Sequence, residues 1–116
     1  MSKITSNPSL RVMSDAEFAR YHDDRFAELP DWIIEKAKES LLYNISQEDV
    51  DQIRKEIDEV GVLWCTPYHS WWGMKIRNLL RDKVCRDSEL PVQNWDDYYV
   101  TLVEYAVGKR TLKRTQ

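Results

Sequence analysis

The ten-residue stretch HSWWGMKIRN, residues 69–78, combines an imidazole, two indoles, a guanidinium and an amide. His69, Gly73 and Arg77 are spaced by four, so on a helix they would lie along one ridge. Glycine weakens a helix, and here it would open a notch between the histidine and the arginine. An arginine there can hold a phosphate or carboxylate with two hydrogen bonds, with His69 as a second donor. The spacing is therefore compatible with an anion- or partner-binding edge.

The same residues also have a purely structural interpretation, which we weigh more heavily. Gly73 would let another helix pack closely, and Arg77 would pair with Asp96 or Asp97 at the start of a later helix. His69 would then cap a helix or lie at the edge of the core. Asn78 projects to a different side of the helix, so one regular notch cannot use all of these side chains.

Helix-start signals and apolar periodicity predict five helices joined by short polar loops. Ser14 and Glu17 form a capping box, Ser46 is an N-cap, and Asn94 caps the last helix. Residues 62–67, VLWCTP, are apolar and would be extended, as a short strand without an evident partner. The predicted helices run from about Ser14 to Glu28, Pro30 to Asn44, Ser46 to Gly61, Tyr68 to Val84 and Asn94 to Gly108.

This pattern predicts an all-α fold, a compact bundle of about five helices with short loops. Residues 1–13 would be a flexible N-terminal arm, 14–108 a single helical domain, and 109–116 a basic C-terminal tail. The 116 residues are 42% hydrophobic and 32% charged, as expected of a soluble globular chain. No apolar run reaches the length of a membrane span and the N-terminus lacks the apolar segment of a signal peptide, so we expect a cytoplasmic protein.

The reactive side chains of the sequence do not form a strong catalytic or metal motif. Cys65 and His69 are spaced by four, with His22 and Cys85 elsewhere, but no Cys-x2-Cys or His-x3-His unit accompanies them. Cys65 follows an apolar run, which indicates a buried, inert thiol. We therefore predict no catalytic residue, no metal site and no cofactor.

The net charge of −3 is unevenly distributed along the chain. Residues 1–60 carry eight basic against fourteen acidic side chains, whereas residues 61–116 carry nine against six. The acidic first half argues against a dedicated nucleic-acid binder. A basic strip could nevertheless form in the second half, from Arg77, Arg81, Lys83, Arg86, Lys109, Arg110, Lys113 and Arg114. The 11% aromatic content is compatible with a homodimer.

The stretches YHSWWGMKIRNLL and NWDDYYVTLVEYAVG resemble a family of small helical domains of bacteria and phages whose function is not established. The family motif is His, three residues, Gly, two residues, then Ile or Leu, Arg and Asn. A later Asp pair opens a final helix. In the family a proline or histidine precedes that pair, whereas here Trp95 does. The resemblance covers roughly residues 29–110 and implies an all-α fold. The motif falls on His69, Gly73, Ile76, Arg77 and Asn78, and the later pair on Asp96 and Asp97.

The leading hypothesis is a small non-enzymatic binding or inhibitor protein of a phage accessory type. It would dock on a host protein, or hold a small anionic ligand, through the edge between His69 and Arg77 and through exposed aromatic residues such as Trp71 and Trp95. The alternative is a small enzyme for a phosphorylated substrate, with His69 as acid/base and Arg77 as anion clamp. In a third interpretation the motif is only structural. The predicted binding residues are His69, Trp71, Gly73, Arg77, Asn78, Trp95, Asp96 and Asp97.

Overall fold

A computed structural model describes residues 14–68 and 71–112, and within these ranges the chain is helical and has no β-strand. Three short 3-10 segments, Thr66–Tyr68, Asp87–Glu89 and Trp95–Asp97, join or precede the longer helices. The all-α prediction is thus confirmed. The α-helices are α1 (Asp15–Glu28), α2 (Asp31–Asn44), α3 (Gln47–Val60), α4 (Trp72–Lys83) and α5 (Tyr99–Ala106).

The helices α1 and α3 begin where local capping chemistry predicts. The Ser14 hydroxyl accepts from the Glu17 amide while the Glu17 carboxylate accepts from the Ser14 amide, which completes the capping box of α1. At the start of α3, the Ser46 hydroxyl accepts a hydrogen bond from the Asp49 amide. Pro30 is the N-cap of α2 rather than a residue of its first turn. Helix starts that depend on residues close in sequence are therefore predictable from the sequence.

The fourth helix and the segment before it differ from the prediction. α4 begins at Trp72, not at about Tyr68. The predicted extended stretch 62–67 is instead a series of turns that leads into the 3-10 segment. Gly61 ends α3 with a φ of 88°, and the Trp64 amide then bonds back to the Gly61 carbonyl, so the chain folds on itself. Trp64 and Cys65 are buried by this turn.

The short helix α5 is the centre of the bundle and packs against α1, α2 and α4. The sequence predicts one apolar stripe on this helix, but Val100 and Thr101 are buried as well. A helix covered on several sides is apolar around most of its circumference. The sequence predicts an apolar stripe on α3 of Val50, Ile53, Ile57 and Val60, but only Val50 and Ile53 are buried and Val60 is exposed.

Candidate functional site

Arg77 is held by an ion pair to Asp96, as the structural interpretation predicts. Its Nε lies 2.7 Å from Asp96 Oδ1, and its guanidinium lies 5.1 Å from the centre of the Tyr99 ring. The Arg77 side chain is 11% exposed, whereas Asp96 is 47% exposed. The pair therefore joins α4 to the 3-10 segment before α5, with the cation on the buried side.

Gly73 is the residue that permits this approach of α4 to α5. A Cβ at position 73 would lie 2.8 Å from the Tyr99 hydroxyl and 3.1 Å from Arg77 Nη1. Such a distance to a rigid aromatic side chain would force the two helices apart. His69, the third member of the predicted ridge, lies outside the described residues, so the notch between the imidazole and Arg77 stays a prediction.

The other polar residues of the motif also have partners within the fold. Asp97 accepts a hydrogen bond from the Tyr21 hydroxyl of α1, and burial together with this bond raises the pKa of Tyr21 to about 12. Asn78 is exposed, and its Oδ1 accepts from Arg81 Nη1 at 2.7 Å. Asp96 therefore interacts with α4, whereas Asp97 interacts with α1.

Trp95 is not the exposed docking aromatic that the sequence hypothesis assumes. Its side chain is fully buried, and its indole Nε1 donates to the Cys85 carbonyl at 2.9 Å. The Trp95 amide also donates to Asp87, and Asp87 is ion-paired with Arg81. These bonds hold the chain between α4 and α5 against Trp95. Trp95 is therefore a core residue that closes one end of the bundle, and it cannot contact a partner.

Trp71, in contrast, is 60% exposed at the N-terminus of α4. A groove runs beside it between α3 and α4, in two adjoining parts of about 200 and 480 Å³ that share Asp49, Trp72 and Lys75. We call this the α3–α4 groove. Its other described lining residues are Asn44, Ile45, Gln52, Ile53, Trp71, Ile76, Asn78, Leu79 and Asp82.

A second concavity of about 390 Å³, the α1–α5 cavity, shares no described lining residue with the α3–α4 groove and is not predicted from the sequence. It borders the Arg77 cluster, because Asp96 and Tyr99 line it. Its surface is mainly apolar. The only sequence signals were the aromatic face of α1 and the burial of Cys65. The described lining residues are Phe18, Tyr21, His22, Cys65, Thr66, Asp96, Tyr99 and Val100.

His22 is the unusual group of this cavity. It is 8% exposed, Phe18 and Tyr21 pack edge-on against its ring, and Nδ1 has no hydrogen-bond partner within residues 14–68 and 71–112. Burial, together with the positive charge of Arg110, lowers the pKa of His22 to about 4, although Asp23 and Asp97 oppose the shift. The imidazole is therefore neutral at pH 7. Burial likewise raises the pKa of Cys65 to about 11, so its thiol is protonated.

The lowered pKa of His22 predicts a stability that depends on pH. In the unfolded chain the imidazole binds a proton near pH 6.5, but in the folded protein only near pH 4. Protonation therefore favours unfolding as the pH falls below 6.5, and we expect a loss of about 1–2 kcal/mol between pH 7 and pH 5. Urea unfolding of the wild type and of His22→Phe at both pH values measures this, since the variant lacks the titrating group. Parallel pH dependence of the two proteins would contradict it.

The basic strip considered in the sequence is largely neutralised in the folded protein. Arg81 pairs with Asp87, Lys109 with Asp58, and Arg110 with both Asp23 and Glu104. Lys113 and Arg114 lie outside the described residues. The sequence assigns Lys109 and Arg110 to a tail. In the structure, ion pairs join Lys109 to α3 and Arg110 to α5.

The described part of the chain contains neither a metal-binding cluster nor a membrane-spanning helix. No group of three or more His, Cys, Asp or Glu side chains there is arranged to hold a metal ion. The helices described are all too short or too polar to cross a membrane. Comparison of the chain with family models, with curated proteins and with solved structures finds no match.

Proposed function

We propose that this chain is a small non-enzymatic binding protein, of a phage accessory type, that docks on a host protein through the outer edge of α4. The observation that supports this most directly is the pair Trp71 and Met74, which are 60% and 48% exposed. They are three residues apart at the start of the helix and so share one side of it. Exposed tryptophan is a frequent anchor of protein interfaces.

The α3–α4 groove gives this edge a shape that a partner can fill. It follows α4 from Trp71 to Asp82, a length of roughly 16 Å at the helical rise. Ile53 and Ile76 form part of its floor, and Lys75 and Asp82 stand at its margins. A short helix or extended segment of a partner with one or two apolar anchors would fit such a groove.

Charge indicates which kind of segment the groove would accept. α3, which forms one wall, carries six acidic residues against two basic ones. Among the described lining residues, Asp49 and Asp82 outnumber Lys75, so the groove is weakly negative and favours association with a basic segment. We propose a partner segment with apolar anchors flanked by lysine or arginine.

The two anion-based hypotheses have less support. Arg77 is mostly buried and already paired with Asp96, so an anion would have to displace a carboxylate and reach a covered guanidinium. The enzyme hypothesis also depends on His69 as acid/base, and His69 lies outside the described residues. Protein docking by Trp71 requires neither condition, so we favour it.

A crosslinking experiment in host cells tests the docking edge. A photo-reactive residue at position 71 is expected to capture a defined host protein, whereas the same residue at Trp32 is not. Trp32 is a matched control because it is 53% exposed but lies on α2, outside the described lining of the groove.

Purified partner then allows an affinity comparison. We expect Trp71→Ala to weaken binding about tenfold or more, as for an interface anchor, and Trp32→Ala to leave it unchanged. Asp49→Lys should reduce mainly the association rate, and higher salt should remove that difference. Equal capture at positions 71 and 32, or full binding by Trp71→Ala, would reject the proposed edge.

A further inference from the structure

The outer face of α2 carries a row of four exposed side chains, which we call the α2 ridge. Its members are Trp32, Lys36, Glu39 and Tyr43. Their spacing of four, three and four residues places them within about 60° of one another around the helix axis. The two aromatic side chains, 53% and 88% exposed, stand at the two ends of the ridge, roughly 16 Å apart along the helix. The α2 ridge shares no residue with the described lining of the α3–α4 groove.

The α2 ridge faces away from the core of the protein. The side of α2 that packs on the bundle is formed by other residues, namely Ile33, Ile34, Ala37 and Leu41. These buried residues lie on the opposite part of the helix circumference. The ridge therefore presents its aromatic and charged groups to solvent, and large exposed aromatic side chains are frequent anchors of protein interfaces.

The two charges in the middle of the ridge differ from their neighbours on α2. Glu35 accepts a hydrogen bond from the Tyr105 hydroxyl, and Lys38 lies over the ring of Tyr105. By contrast, neither Lys36 nor Glu39 takes part in an ion pair among residues 14–68 and 71–112. Their charges are thus available to a surface that carries the opposite charges at matching positions.

The order of the side chains along the ridge identifies a surface that matches it. Lys36 and Glu39 are equally far from the midpoint of the ridge, and so are its two aromatic ends. A two-fold axis through that midpoint places an antiparallel second copy of α2 against the first. Lys36 then faces Glu39 of the second copy, and Trp32 faces Tyr43 of the second copy. Spacing by three and four residues is also that of the contact positions in paired helices.

The charges select the antiparallel copy over a parallel one. In the antiparallel arrangement two ion pairs occupy the centre of the contact, and an aromatic pair covers each end. A parallel copy would place Lys36 against Lys36 and Glu39 against Glu39, and like charges in direct opposition are unfavourable. The ridge is therefore complementary to itself when one copy is turned by the two-fold axis.

We propose that the α2 ridge joins two copies of this chain in an antiparallel homodimer. An interface made of one short helix from each copy is smaller than a standard protein interface, so the dissociation constant is expected to be about 10–100 µM. The proposal does not depend on the host partner, because the α2 ridge and the α3–α4 groove have no described residue in common.

Charge reversal at the centre of the ridge tests the proposal, with sedimentation equilibrium of the full chain from micromolar to millimolar concentration as the measurement. Lys36→Glu is expected to weaken the dimer about tenfold or more, because both central contacts then join two carboxylates. Glu39→Lys is expected to do the same with two ammonium groups. An equimolar mixture of these single variants should dimerise again, because each central contact then joins opposite charges. The double variant that carries both changes should also dimerise.

Aromatic variants locate the interface and separate it from the docking edge. Trp32→Ala should weaken the dimer about tenfold because it removes both aromatic end pairs, whereas Trp71→Ala should leave it unchanged. A photo-reactive residue at position 32 should crosslink to the peptide of a second copy that contains Tyr43. Circular dichroism checks that each variant is folded, and substitutions at these exposed positions cost little stability.

Four results would overturn the homodimer. They are a chain that stays monomeric at millimolar concentration, a Lys36→Glu variant that dimerises as well as the wild type, loss of the dimer in Trp71→Ala, and capture of another protein in place of a second copy at position 32. Loss of host-protein capture at position 71 would leave the dimer intact, so the two proposals fail separately.

Discussion

Replacing Trp95 with alanine is expected to lower the free energy of unfolding by about 3–5 kcal/mol. The indole is fully buried between α5 and the chain that follows α4, so its removal leaves a large cavity. It also leaves the Cys85 carbonyl without the Nε1 donor. Urea denaturation followed by circular dichroism measures the change, since the loss of one of five tryptophans complicates fluorescence.

The matched control is Trp71→Ala, which removes the same side chain from an exposed position. We expect that variant to change the free energy of unfolding by less than about 0.5 kcal/mol. Trp95→Phe should lie between the two, because it keeps most of the apolar volume but loses the hydrogen bond. A small effect of Trp95→Ala would mean that Trp95 is accessible, and would restore it to the docking surface.

The ion pair of Arg77 and Asp96 gives the second large expected effect. Arg77→Met should lower the free energy of unfolding by about 2–3 kcal/mol, because it removes a charge-assisted hydrogen bond and the contact of the guanidinium with the Tyr99 ring. We place the loss below that of a fully buried pair because Asp96 is half-exposed and water can solvate it once the arginine is gone.

A double-mutant cycle separates this pair from its surroundings. Asp96→Asn alone should cost about 1–2 kcal/mol, and Arg77→Met with Asp96→Asn should cost about 1 kcal/mol less than the sum of the single variants. The cycle is measured by urea denaturation at low and high salt. If Arg77→Met left stability unchanged, the pair would carry no structural role and the anion-clamp hypothesis for Arg77 would regain support.

The motif around Gly73 shows which contacts can be predicted from the sequence and which cannot. The spacing of His69, Gly73 and Arg77 offered both a binding notch and a close helix contact, and nothing in the spacing decided between them. The pairing of Arg77 with an aspartate of the last helix was predicted on the structural interpretation, and the ion pair with Asp96 confirms it. The role of Tyr99 is not predictable from the sequence, because its contact with Arg77 spans 22 positions and depends on how two helices cross.

The binding surface was predicted only in part for the same reason. Trp71 and Trp95 are alike in type and both precede a helix, yet one is exposed and the other fully buried. The path of the loop before a helix decides which side chains at the start of that helix are buried. The sequence suggests only a metal-ligand role for His22, because the residues that line the cavity come from three separate stretches of the chain.

The sequence by itself determined the helical class, most helix ends and the apolar faces of the longer helices. These features depend on capping groups and on apolar spacing within a few residues of one another. Such local interactions can be predicted from the sequence alone. Tertiary packing alone decided that α5 is central, that Trp95 is buried, that Arg77 is paired rather than free, and that a cavity opens beside His22. Each of these depends on surfaces brought together from distant segments, where small differences in helix position decide which side chains are covered.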